Sequence, residues 1–152
     1  MRTLLVSAAV IAGLAVPAAG SAATYQDQFF GVEVPPVTST LGTFTGVATG
    51  QLPGRWYAQI QHAPLSSGTS VPITGGSFTL TALDGRTVAG SVVGGSVAVT
   101  NPGSGCRNQT FAVNVVLSDG GFAGTLTHYR TPLFGTCITY SASIVGSGTL
   151  EA

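Results

Sequence analysis

From Leu41 onward no segment keeps a 3.6-residue apolar period over ten residues. Apolar residues instead recur at every second position, among threonine, valine and glycine. A period of two is the signature of strands with one buried face, so the chain is expected to be all-β, with almost no helix. The strand candidates are Leu41–Thr49, Trp56–His62, Ser77–Leu83, Thr87–Thr100, Asn108–Leu117, Phe122–Arg130 and Cys137–Leu150. Seven or eight strands joined by hairpins predict an antiparallel up-and-down β-barrel, with a β-sandwich as the alternative.

The turns carry the register. Asp84-Gly85-Arg86 as a three-residue loop sets Phe78 opposite Val92 and Ala82 opposite Val88, keeping the apolar face together. Gly94-Gly95 is expected to fold Thr87–Thr100 into two short strands, with Val92 facing Val97. Around Asp119-Gly120 as a two-residue turn, Leu117 faces Phe122, Val115 faces Gly124, Val113 faces Leu126, Phe111 faces His128 and Gln109 faces Arg130. The long stretch His62–Ile73, with two prolines, reads as a loop. Thr24–Thr40 reads as an arm, an edge strand or a plug, because Phe29 and Phe30 need burial and Pro35-Pro36 do not suit a central strand.

The N-terminus has Arg2, an apolar run Leu4–Val16, Pro17 and small residues to Ala23. This is the form of a secretory signal peptide cleaved after Ala23, and its run is too short for a membrane span, which needs about 20 residues. Residues 41–152 then form a single barrel domain. In an exported chain the two cysteines, Cys106 and Cys137, are expected to form a disulfide across the hairpin they bracket.

Charged residues make up only 7% of the chain, and lysine is absent. After the leader the arginines are Arg55, Arg86, Arg107 and Arg130, which form no basic run. That argues against nucleic acid as a partner. No later segment is apolar enough to be an integral membrane span.

The hairpin face ending in Gln109, Phe111, His128 and Arg130 suggests the mouth of a cavity for a small apolar or amphipathic ligand. Trp56 and His62, on one face of their strand, are candidates for the same wall. With Thr87–Thr100 as two strands, His62 and His128 fall at opposite rims. As one strand, it brings them to the same rim. The acids Asp27, Glu33, Asp84, Asp119 and Glu151 all fall outside the expected strands, so neither a carboxylate pair nor a His–acid arrangement is expected. No spacing suits a metal, and no motif calls for a cofactor. Ligand binding leads. The alternatives are a structural or protein-interaction role on the cell exterior and a cofactor-free isomerase or cyclase using His128 or Tyr129.

The strings "GTFTG", "GGSFTL" and "GFAGTLTHYR", with the two cysteines, resemble small secreted β-barrel proteins of actinobacterial type. The resemblance covers Leu41–Leu150 and implies the fold and an extracellular location, with no site residues attached. A more distant likeness, to lipocalins and allene oxide cyclase, implies a barrel alone.

Overall fold

A computed structural model describes residues 22–65 and 69–151. Residues 1–21 of the expected signal peptide and residues 66–68 of the expected loop lie outside the described residues. The strands are β1 (Thr24–Glu33), β2 (Leu41–Gly50), β3 (Gly54–His62), β4 (Ser70–Ala82), β5 (Thr87–Asn101), β6 (Gln109–Leu117), β7 (Gly120–Leu133) and β8 (Thr136–Glu151). Each pairs antiparallel with the next, and β1 pairs with β8, so the sheet closes as an eight-stranded up-and-down barrel. Among the described residues helical geometry is confined to a 3-10 turn at Ser104–Cys106 and to Leu65. No helix among them is long and apolar enough to cross a membrane.

Three expectations about the strands change. Thr24–Glu33 is neither an edge strand nor a plug but a full barrel strand, hydrogen-bonded on both sides. Its two phenylalanines point to opposite faces: Phe29 is buried and Phe30 is 44% exposed. Pro35-Pro36 begin only after the strand has ended, so they interrupt no ladder. β4 starts at Ser70 rather than Ser77, with Val71 and Pro72 already paired to β5. β5 is one strand, not two. Between Val92 and Gly94 its pairing with β6 slips, and Gly95 takes φ +127, which side-chain-bearing residues rarely adopt. A Cβ on Gly95 would also collide with the Asn114 carbonyl. The glycines therefore bend the strand instead of reversing it.

Both hairpin registers are displaced by two residues. In the β4–β5 loop the Ala82 N–H donates to the Arg86 carbonyl at 2.8 Å, so Leu83-Asp84-Gly85 form the turn. Phe78 then faces Gly90, and Leu80 faces Val88. The β6–β7 turn is Ser118-Asp119, which sets Leu117 against Gly120, Val115 against Phe122, Phe111 against Leu126 and Gln109 against His128. A displacement of two leaves every side chain on its expected face, because side chains alternate with a period of two.

The interior divides into a floor and a mouth. At the floor, Leu52 from the β2–β3 turn folds in and is fully buried beside Leu80 and Leu150. The Leu52 N–H donates to Asp27 Oδ1 at 2.9 Å. The plug is thus a turn leucine held by a buried carboxylate, not the N-terminal segment. Above it Phe29 meets Trp56, Phe78 and Phe122 edge-on, with ring centroids 5.9–6.0 Å apart. The Trp56 ring fills the space over Gly31, and Phe122 covers the Gly124–Gly146 pair. The mouth lies where the odd-numbered strands end.

The disulfide Cys106–Cys137 is at that same end, with Cα atoms 5.5 Å apart. It ties the β5–β6 connection to the outer end of the β7–β8 hairpin, one pair from the turn, whose tip residue Phe134 is 97% exposed. Ile138 and Tyr140 alternate in sequence with the buried Ala142 and Ile144. They are exposed, because this part of the hairpin lies outside the barrel core and beyond a bulge at Tyr129/Arg130.

Two predictions follow from these contacts. Replacing both cysteines by serine removes a closure spanning 31 residues and should lower unfolding stability by about 3–4 kcal/mol in the chain-entropy account. Urea unfolding of the double variant measures this. In the β4–β5 loop the Arg86 backbone N–H, followed by its guanidinium, holds the Asp84 carboxyl below its ordinary value. A depressed native value contributes stability above the usual carboxylate range, and that contribution fades as pH falls through the native value. In Arg86→Ala the Asp84 titration followed by NMR should rise only part of the way, because the backbone donor remains.

Candidate functional site

A cavity of about 240 Å³ occupies the barrel interior. Its wall is apolar along most of its length, with Phe29, Phe44, Trp56, Ile60 and Phe78 among its residues. The polar side chains that reach it are Glu33, Thr38, Ser39, His62 and His128. All five come from the C-terminal ends of β1, β3 and β7 or from the β1–β2 loop, so the polar groups gather at the mouth. That loop is anchored by Thr43, fully buried, whose hydroxyl donates to the Pro36 carbonyl at 2.7 Å.

Glu33 is the residue that reading the sequence placed wrongly. The acids were expected to lie outside the strands, but Asp27 and Glu33 are both in β1, facing inward with Phe29. Glu33 Oε2 lies 3.4 Å from His128 Nε2, and both side chains are mostly buried. Small side chains allow this approach. His128 pairs with Ala142, and Glu33 lies one step beyond the Val32–Ser143 pair on the same row, so only the Ala142 methyl stands between them. On the other side Gly42 leaves room. A Cβ there would lie 2.7 Å from the Phe44 ring and 3.2 Å from Glu33 Oε1. His128 Nε2 is buried and makes no aligned hydrogen bond, so the two groups are close without being locked together. Phe111 packs edge-on against the imidazole at 5.0 Å between centroids and fixes the ring from behind.

His62 and His128 share this mouth because β5 is one strand, which makes β3 and β7 run in the same direction. His62 Nδ1 is 2.8 Å from the Ala63 carbonyl. A carbonyl only accepts, so Nδ1 carries the proton, and in the neutral ring Nε2 is left as an acceptor.

Of the candidate residues, Trp56, His62 and His128 line the cavity, whereas Gln109, Phe111 and Arg130 do not. Gln109 is the register partner of His128 at the first position of β6, outside the cavity wall. Phe111 is fully buried behind the wall. Arg130 was expected to face inward. The bulge at Tyr129/Arg130 breaks the alternation, and its guanidinium donates to the Gly103 carbonyl at 3.2 Å and the Pro102 carbonyl at 3.5 Å. Tyr129 does not line the cavity, and its hydroxyl is 3.1 Å from Ser143 Oγ. Among the described residues no group of three or more histidine, cysteine or carboxylate side chains is placed to hold a metal ion.

The missing signal was the alternation Tyr25, Asp27, Phe29, Gly31, Glu33 on the inward face of β1. It was masked by Phe30 and Val32, which give the outer face an equally apolar pattern. No family model, curated protein or solved structure matches this chain.

The fit around Glu33 is testable by contrast. Gly42→Ala should cost about 1–3 kcal/mol through crowding of Phe44 and Glu33. Gly94→Ala, whose added methyl meets nothing within 4 Å, should stay within about 0.5 kcal/mol of wild type. Paired denaturation curves decide, and equal costs would contradict the packing described.

Proposed function

We propose that this protein is exported and binds one small apolar or amphipathic molecule inside its barrel. The observation that carries the reading is the cavity of about 240 Å³, walled by aromatic and aliphatic side chains with its polar groups at one end. A cavity of about 150 Å³ holds a benzene ring, so this one has room for a ring with a short side chain. Such an interior suits a ligand whose apolar body packs on Phe29, Trp56 and Phe78 while its polar end meets the mouth. The leader-like residues 1–23 and the Cys106–Cys137 disulfide support an oxidising, extracellular setting.

The cavity favours this reading over a purely structural role, for which a filled core would serve equally well. It also favours binding over cofactor-free catalysis. Glu33 supplies an acid beside His128, 3.4 Å away and without an aligned hydrogen bond, while the extent of the apolar wall is what binding alone requires.

Trp56, the only tryptophan, lines the cavity and reports on its contents. Titration with a neutral ring compound such as 2-phenylethanol should shift its emission saturably. Ala58→Leu, which adds bulk to the wall, should weaken that binding at least about tenfold while the protein stays folded by circular dichroism. Native mass spectrometry of protein taken from its own culture medium should show a retained small molecule. No adduct and no emission response would sink the reading.

A further inference from the structure

We propose that the polar end of this cavity is built for an organic ammonium, so that the bound molecule is a small aromatic or aliphatic amine. This rests on the reading that the cavity holds a ligand, and it names the class. The mouth offers few charged groups. Glu33 is its carboxylate, mostly buried, and among the described residues it forms no ion pair with an arginine. The four arginines beyond the leader are not among the residues lining the cavity, and Arg130 is committed to backbone carbonyls outside it. His62 has spent its Nδ1 proton on Ala63, so its remaining nitrogen accepts in the neutral ring. Glu33 and the neutral His62 ring thus offer acceptors, Thr38, Ser39 and His128 can donate as well as accept, and the carboxylate is the formal charge built into the mouth.

An ammonium brings three donors and a charge opposite to that of Glu33. Phe44, the register partner of Glu33, also lines the cavity and presents an aromatic ring beside the carboxylate, a setting that further favours a cation. His128 does not saturate the carboxylate, because its Nε2 stands 3.4 Å away without an aligned hydrogen bond. An ammonium can therefore add to this pair or displace the imidazole from it. A carboxylate ligand, such as a fatty or aryl acid, would place its charge against Glu33 in an apolar wall, which is unfavourable.

Three ligands of nearly equal size separate the possibilities: 2-phenylethylamine, 2-phenylethanol and phenylacetate, each titrated into the leader-free protein and read by Trp56 emission and calorimetry. The amine is expected to bind about tenfold or more tighter than the alcohol, with phenylacetate weakest. Glu33→Gln should bring the amine down to the affinity of the alcohol measured on the same variant. Glu33→Asp, which keeps the charge, should retain part of the preference, and thermal melting confirms that both variants fold. Equal binding of amine and alcohol by the wild type, or tightest binding of phenylacetate, overturns the amine assignment while leaving the cavity reading intact. Failure of all three to bind overturns the cavity reading and the amine assignment together.

Discussion

The pairing of the first strand with the last is the constraint on which everything else depends. β1 is joined to β8 over nearly its whole length, from Thr24–Glu151 to Val32–Ser143. Without it the sheet would have two open edges with unpaired backbone groups. With it the strands enclose an interior of fixed width, and eight strands leave room for packed side chains or for one small ligand. This barrel combines packed side chains with open space. The floor is filled by Leu52, Leu80, Leu150 and the ring cluster around Phe29, and the space towards the mouth is left open. Closure also brings Glu33 within reach of His128, since the two residues are far apart in sequence and meet only across β8.

Much of the fold was legible because strand patterning is a statement about faces. Phe78, Leu80 and Ala82 are buried together, as are Trp56, Ala58 and Ile60, and no helix interrupts the strands. Both predicted hairpins have the right faces and the wrong partners. The hydrophobic pattern penalises a slip of one residue heavily, but it is nearly blind to a slip of two. The choice among even slips rests on contacts from other strands, such as Gly120 lying against the Thr149 backbone of β8. Such contacts do not show in a hairpin considered alone. Gly94-Gly95 was misread for a related reason: a glycine pair serves a bulge as readily as a turn, and the neighbouring β6 decides which.

The site was less legible than the fold. His128, His62 and Trp56 were recognisable as inward residues of strands. Arg130 was lost to a bulge that alternation cannot reveal, and Glu33 was missed because its strand was taken for an arm. The consequence is chemical. A mouth imagined with Gln109 and an arginine has become one with a carboxylate, and the sign of the charge a ligand would meet has reversed.

The β1–β8 seam also orders events in time. The pairs between successive strands can begin to form as the chain emerges, but the seam needs residues up to Glu151, so the sheet cannot close until β8 has been made. Until then β1 lacks one of its two neighbours, and the first and last strands of the barrel must find each other at the entropic cost of closing the longest loop in the sheet. A chain that lacks β8 therefore stays open, and the cavity with its Glu33–His128 mouth comes into being only when the seam closes.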